Sequence, residues 1–195
     1  TDITATDITT INTAITGAIT VTNTIDINGS GSEVAAAFTA INTNTGNATA
    51  NVTGTDYTVA QLKTINDATT GAIVLANAGV ALSGDATDIV DALAGTVTTH
   101  TGTVTITDSS YTIAELKAIN AATSGEIILN DATVALSGTV SDIKDAFAGT
   151  ITTHTGTLEI TDANTTDITA TDITSINTTN TGTITVTNTI DINGS

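Results

Sequence analysis

The chain has 195 residues and contains no cysteine, proline, methionine, tryptophan or arginine, and its tyrosines and phenylalanines number two each. Each absence narrows the field. Without cysteine there is no disulfide to staple the fold and no thiol to oxidise, which permits an extracellular location. With so few aromatic rings, a hydrophobic core must be built from isoleucine, valine, leucine and alanine. Positive charge is scarce too: Lys63, Lys117 and Lys144 stand against 20 acidic residues, for a net charge of −17. Three scattered cations cannot form the basic patch that phosphate backbones or anionic membrane surfaces require, so nucleic acid is excluded as a partner and so is electrostatic docking on a membrane. No apolar run approaches the roughly 18 residues of a membrane span, so membrane insertion is not expected, and no charged-then-apolar leader opens the chain. The first residue is Thr1 and not Met, which reads as a processed product or an excerpt.

What fills the chain instead is threonine, about a quarter of all residues, on a background that is 39% hydrophobic. β-branched side chains favour strands, and disordered chains lack such an apolar fraction. The order is repetitive. Gly17, Gly71 and Gly125 each close an INxxT[ST]G-like stretch and follow one another at 54 residues, and Gly182 follows after 57. The stretch THTGTVTITD (99–108) returns as THTGTLEITD (153–162), and YTVAQLKTINDATTG returns as YTIAELKAINAATSG. Approximate units are 1–56, 57–110, 111–164 and a partial 165–195, with no linker between them, which predicts one continuous body over 1–195 and not a string of domains.

Each unit divides again. TVTTHTGTVTITD (96–108) aligns with AIVLANAGVALSG (72–84), so one unit holds two half-repeats, each a helix followed by two strands. The longer helix is predicted from Thr58 to about Ala68, with Val59, Leu62 and Ile65 on one stripe and a capping box Thr58-x-x-Gln61; its copy has Thr112-x-x-Glu115 with Ile113, Leu116 and Ile119. The shorter helix is DATDIVDALAG, capped by Asp85 and ended by Gly95, with Ile89 and Leu93 inward, and Ile143 and Phe147 repeat its pattern. In the second strands Val80 and Leu82, Val104 and Ile106, and Leu158 and Ile160 point one way, and Ala81, Thr105 and Glu159 the other.

Spacing then selects an architecture. Strands sit about 4.8 Å apart and packed helices about 8–10 Å apart, so two strands per helix let a stack grow almost straight. The expected fold is an α/β repeat solenoid whose single sheet has one helix-covered face and one Thr-rich solvent face; an arrangement with first and second strands in separate sheets around a coil is the alternative.

YTIAELKAINAATSG, the ALSG link into the short helix, and AGTITTHTGTLEITD resemble units of very long tandem-repeat surface or secreted proteins of bacteria, cyanobacteria among them. The resemblance covers residues 57–164 best and loosens where Tyr57 and Tyr111 become Ile3 and Ile168. It implies an extracellular adhesive, matrix or surface-layer role and brings no catalytic residues with it.

Chemistry is nearly silent. His100 and His154, one per unit in THTG turns, suit either a ladder of metal ligands and pH-sensitive contacts or exposed turn residues copied by duplication, and the second reading is preferred because no further His or Cys lies nearby. Calcium takes six to eight oxygen ligands, and Asp56, Asp108 and Asp162 at recurring turns are its candidates. Yet there is no DxDxDG loop, and turn chemistry explains Asp108 without an ion. No nucleophile has a distinct base and orienting partner, and phosphate-binding glycine motifs are absent, so no enzyme and no resident cofactor is expected. Threonine rows such as TGTVTITD also resemble the ice-binding faces of β-solenoid antifreeze proteins, which makes an ice- or glycan-binding module the alternative function.

Finally, residues 1–30 and 166–195 are near copies, differing only at Thr10/Ser175, Ala14/Thr179, Ile15/Asn180 and Ala18/Thr183. A self-contained stack has atypical capping ends. Matching ends predict either a polypeptide that continues or copies that meet head to tail through Ile19, Val21, Ile25 and Ile27 at one end and Ile184, Val186, Ile190 and Ile192 at the other. The expected role is thus a structural segment of an extracellular filament, surface layer or adhesive stalk that associates with itself, with glycans or other surface proteins as further partners.

Overall fold

The computed structural model describes residues 1–164 and 166–194. The last repeat boundary, drawn at 165, and the final residue therefore lie outside the described residues. The chain is alternating α/β, with seven helices and short strands among the described residues. It divides into two compact units, residues 1–83 with 88–102, and residues 84–87 with 103–195.

In the first unit β1 (Asp2–Thr4), α1 (Ala5–Ala14), β2 (Ile19–Val21), β3 (Asp26–Gly29), α2 (Gly31–Ala40), β4 (Ile41–Asn44), β5 (Thr49–Val52), α3 (Val59–Ala68) and β6 (Ile73–Leu75) follow in order. One sheet runs β1-β3-β5-β6 and a second pairs β2 with β4, and every ladder is parallel. Each strand meets the strand some two dozen residues onward: Asp2 opposite Asp26, Asp26 opposite Thr49, Ala50 opposite Ile73, and Ile73 bridged to Val97. We call each such stretch a coil. Next in the chain come β7 (Leu82–Gly84) and α4 (Ala86–Leu93). The second unit continues with β8 (Val104–Ile106), α5 (Ile113–Ala122), β9 (Ile127–Leu129), β10 (Leu136–Gly138), α6 (Val140–Ala146), β11 (Leu158–Ile160), β12 (Asp167–Thr169), α7 (Ala170–Thr179), β13 (Ile184–Val186) and β14 (Asp191–Asn193). There β8 pairs β9, β10 pairs β11, β11 pairs β13 and β12 pairs β14, again all in parallel.

The helices begin where local chemistry says they should. Thr58 with Gln61 and Thr112 with Glu115 form capping boxes, as the sequence predicts, and Ser30 with Glu33 and Thr169 with Asp172 form two more. A hydroxyl at the N-cap and an acid or amide three residues on satisfy amides that the helix leaves unpaired. Gly95 ends α4 at φ +69°, a region costly for any residue with a Cβ. Asp85 and Asp108 also tie the start of α4 to the strand that follows. The Asp85 carboxylate accepts from the Thr107 hydroxyl at 3.0 Å, and the Ala86 amide donates to Asp108 at 2.9 Å.

The core lies between helices and strands and is aliphatic, as composition requires. Val34, Phe38, Leu62 and Ile65 from helices and Ile27, Ala50, Val52, Ile73 and Leu75 from strands are buried in the first unit; Leu116, Ile119, Ile143, Val104, Ile106, Ile127 and Leu158 are buried in the second. Full burial of one such Leu or Ile contributes about 1.5–3 kcal/mol.

Two expectations need correction. The paired strands of a half-repeat do not share one sheet: β9 lies with β8, and β10 lies with β11. The link between them cannot fold into a hairpin because its backbone is bonded to the following coil. Thr155 and Gly156 both donate to Ala132 O, at 2.8 and 3.1 Å. Nor do the outward rows of the β1-β3-β5-β6 and β10-β11-β13 sheets form a threonine face, although Thr20 lies opposite Thr43 in the β2–β4 pair. Across β1-β3-β5-β6 the row reads Thr4, Asn28, Asn51, Val74, and across β10-β11-β13 it reads Ser137, Glu159, Thr185. Asn51 bonds Asn28 along the first row at 2.8 Å. Many threonines instead back up the ladders. In Thr53, Thr98 and Thr152 the hydroxyl and the amide reach one carbonyl of the preceding coil, at Gly29, Ile73 and Ile127.

Candidate functional site

The residues that recur with the 54-residue period, and that carry the most chemistry, converge on one turn in each copy. In the first unit this is Asn77–Val80, between β6 and β7. Tyr57, entering α3 from below, donates its hydroxyl to Asn77 O at 2.7 Å. His100, from the coil above, donates Nε2–H to Val80 O at 2.7 Å. Between them, the Thr101 and Gly102 amides both reach Ala78 O, at 2.8 and 3.1 Å. Within the turn, the Gly79 amide donates to Asn77 Oδ1 at 3.2 Å. Gly102 has no alternative residue: a Cβ there would stand 2.5 Å from Val80 O and 2.6 Å from Gly79 O.

The second unit repeats the arrangement at Asp131–Val134. Tyr111 OH donates to Asp131 O at 2.5 Å, His154 Nε2–H to Val134 O at 2.7 Å, and the Thr155 and Gly156 amides to Ala132 O. The Asp131 carboxylate accepts from the Thr133 hydroxyl and amide, which holds its acid below the usual range. The Nδ1 of His154 lies 2.9 Å from Asn180 Oδ1, and its ring centroid is 5.9 Å from that of Phe147. The Asn180 side chain is itself fixed by Gly182, accepting from its amide at 3.2 Å and donating to its carbonyl at 3.1 Å. Both His154 nitrogens thus face oxygen atoms.

These geometries change the reading of the histidines. Both are fully buried, not exposed turn residues. Burial pushes the His100 imidazole below its ordinary value, against the opposing effect of its bond to the Val80 carbonyl, so the ring is held neutral with its proton on Nε2. A nitrogen that donates to a buried carbonyl is not a metal ligand while that bond stands. The tyrosines are likewise buried. Burial pushes the Tyr111 hydroxyl up to about 12, with the Asp131 and Asp108 carboxylates adding to the rise. Such a phenol is a structural donor and not a general acid near neutrality.

The calcium candidates are not gathered. Asp108 accepts from the Ala86 amide, the Ser110 amide and the Ser110 hydroxyl, and these bonds hold its carboxyl below the usual range although burial works to raise it. Asp162 accepts from the Val140 amide at 2.8 Å, the equivalent service to α6. Asp56 sits beside Gly54, whose missing Cβ leaves room for its carboxylate. Among the described residues no three His, Cys, Asp or Glu side chains come together as a metal site, and no helix is long and apolar enough to cross a membrane.

The lysines have a role that sequence reasoning did not assign. Lys63 bonds Asp91, Lys117 bonds Asp142 and Asp145 at 2.8 Å each, and Lys144 bonds Asp172 at 2.6 Å. Each pair joins one helix to the next, and Lys144 draws the Asp172 acid down to about 2. Beside them Asn66 and Asn120 donate to Asp91 O and Asp145 O, at 2.6 and 2.8 Å, holding the following helix by its backbone. The signal that could have revealed this is the spacing: each of these partners lies 25–28 residues on, one coil further.

The chain matches no protein-family model, no curated protein and no solved structure.

Proposed function

We propose that this chain is a structural repeat segment of an extracellular filament, surface layer or adhesive stalk, wound as one α/β solenoid and associating end to end. The observation that supports it is where the duplicated polar residues point. Tyr57 and Tyr111, His100 and His154, Asn66 and Asn120, and Lys63 and Lys117 each bond a group of a neighbouring coil. Chemistry copied with the repeat is chemistry that copies the joint. A mechanical part needs such joints at every step, whereas a binding module or an enzyme needs one coil that departs from the rest. The acidic surface, the lack of cysteine, and the resemblance of residues 57–164 to bacterial surface repeats agree with a role outside the cell, where glycans and other surface proteins are the partners within reach.

Antibody raised against the purified chain and applied to intact cells that make it is the test. Labelling of unbroken cells or of material they shed is expected. Labelling that appears only after permeabilisation contradicts the proposal.

A further inference from the structure

Asn180 is fully buried, and one glycine fixes its side chain from two directions. Its Oδ1 accepts from the Gly182 amide at 3.2 Å and its Nδ2 donates to the Gly182 carbonyl at 3.1 Å. Turning the amide over would set N–H against N–H and oxygen against oxygen, so these bonds settle which atom faces His154, and it is Oδ1. The glycine is held in turn: a Cβ on it would strike the carbonyl oxygens of Thr155 and Gly156.

His154 therefore has an oxygen at each ring nitrogen, Asn180 Oδ1 at 2.9 Å from Nδ1 and the Val134 carbonyl at 2.7 Å from Nε2. A neutral imidazole carries one N–H and satisfies one of them, leaving a nitrogen lone pair against the other oxygen. An imidazolium carries two and satisfies both. Burial works against any charge, but two further features favour it here. His154 stands at the C-terminal end of α7, where its backbone amide donates to Thr179 O at 3.1 Å and the last carbonyls carry partial negative charge. The Phe147 ring, with its centroid 5.9 Å away, lies within the range at which an aromatic face attracts a cation. The preceding repeat has neither partner, since Leu93 stands at the position of Phe147 and Thr123 at that of Asn180.

The ionisable groups on the surrounding elements are engaged elsewhere. The turn brings Asp131, whose carboxylate accepts from Thr133, and the Tyr111 hydroxyl, which donates to Asp131 O. On α6 stand Asp142 and Asp145, both bonded to Lys117, and Lys144, bonded to Asp172 of α7. Two uncharged acceptors thus decide the state of the ring. We propose that His154 is a proton-operated lock: protonated on both nitrogens it ties the Val134 turn of the coil before it to Asn180 of the coil after it, and loss of one proton releases one of the two. The sense is opposite to that of His100, which burial drives toward the neutral ring. Falling pH strains the His100 contact, and rising pH unfastens the His154 joint. The lock goes beyond the proposed function and does not depend on where the protein resides.

Long-range proton–nitrogen spectra of the full chain, carrying nitrogen-labelled histidine, read both rings, and the ring beside Phe147 is assigned through its contacts with that side chain. Near pH 6, about where an exposed imidazole titrates, His154 should show N–H at both Nδ1 and Nε2, while His100 shows it at Nε2 alone. As pH rises His154 should lose one of the two. The Thr181 amide, which donates to His154 O at 2.9 Å, should then exchange faster than the change in intrinsic rate accounts for. Asn180→Asp keeps an oxygen in place and adds a charge, so it should hold the second proton about tenfold more tightly. Asn180→Leu removes the acceptor and should leave a single N–H near pH 6. Circular dichroism identical to the parent shows that a variant folds, and the parent spectrum decides alone where one does not. A bare Nδ1 on His154 in the parent near pH 6, or a second proton held equally by the parent and Asn180→Leu, would overturn the inference.

Discussion

The Tyr57 hydroxyl and the His100 imidazole hold the carbonyls of Asn77 and Val80, three residues apart in one turn, from the coils on either side of it. Tyr111 and His154 do the same for Asp131 and Val134. A turn that would otherwise present bare carbonyls to the interior is satisfied by two side chains and two amides. Buried polar groups left without partners cost about 1–3 kcal/mol each, so this pairing is what permits the backbone to pass between coils at all.

Removing one arm of the clamp should therefore be felt. Tyr111→Phe keeps the ring and its packing but leaves Asp131 O without its donor, and we expect a loss of about 1–3 kcal/mol in urea unfolding. Tyr57→Phe should behave alike at Asn77. A change within error for both would mean that water replaces the hydroxyl.

The histidine arm carries a pH signature. His100 is depressed in the fold by burial, so folding favours the neutral ring. The stabilisation is whole above the unfolded value of about 6.5 and is lost as pH falls from there through the lower folded value. Thermal melts from pH 8 downward should show stability declining below about pH 6.5, and His100→Gln should flatten that decline. The carboxylates that the fold holds low, Asp108, Asp131, Asp142 and Asp172, act at more acid pH and leave this window clear.

Glycine at the clamp is a matter of space. Gly102→Ala forces a Cβ against two carbonyl oxygens and should cost about 1–3 kcal/mol or more. Gly17→Ala meets nothing within 4 Å and should leave the melting temperature nearly unchanged. Equal effects at the two sites would remove close coil-to-coil approach as the reason for the repeating glycines.

The lysine links should matter little by comparison. Lys117 and its partners Asp142 and Asp145 are about half exposed, where solvent and salt screen a pair to under about 1 kcal/mol. Lys117→Met is expected to shift stability by no more than that, with the difference vanishing at high salt.

What the sequence reveals follows the range of the interactions involved. Thr58 with Gln61 and Thr112 with Glu115 are three residues apart, so α3 and α5 could be read directly, and the positive φ of Gly95 was legible as a helix stop. Alternation was enough to place Leu82, Val104 and Leu158 inward. Strand partners were not legible, because a parallel ladder couples residues some two dozen positions apart and no turn residue marks its register. The burial of His100 and His154 escaped for a related reason: a lone imidazole beside threonine and glycine looks solvated until the Val80 and Val134 carbonyls of another coil are placed beside it. The same distance hid the lysine–aspartate links, although their regular spacing was present in the chain.

Native-state hydrogen exchange at the THTG turns tests most directly whether the copied residues are joints. The Thr101, Gly102, Thr155 and Gly156 amides donate to Ala78 O and Ala132 O, so they should exchange as slowly as the core-strand amides of Val104 and Leu158, and His100→Gln or His154→Gln should release the pair beside it. Exchange of these four amides at the rate of exposed loops, unaffected by either substitution, would contradict the account.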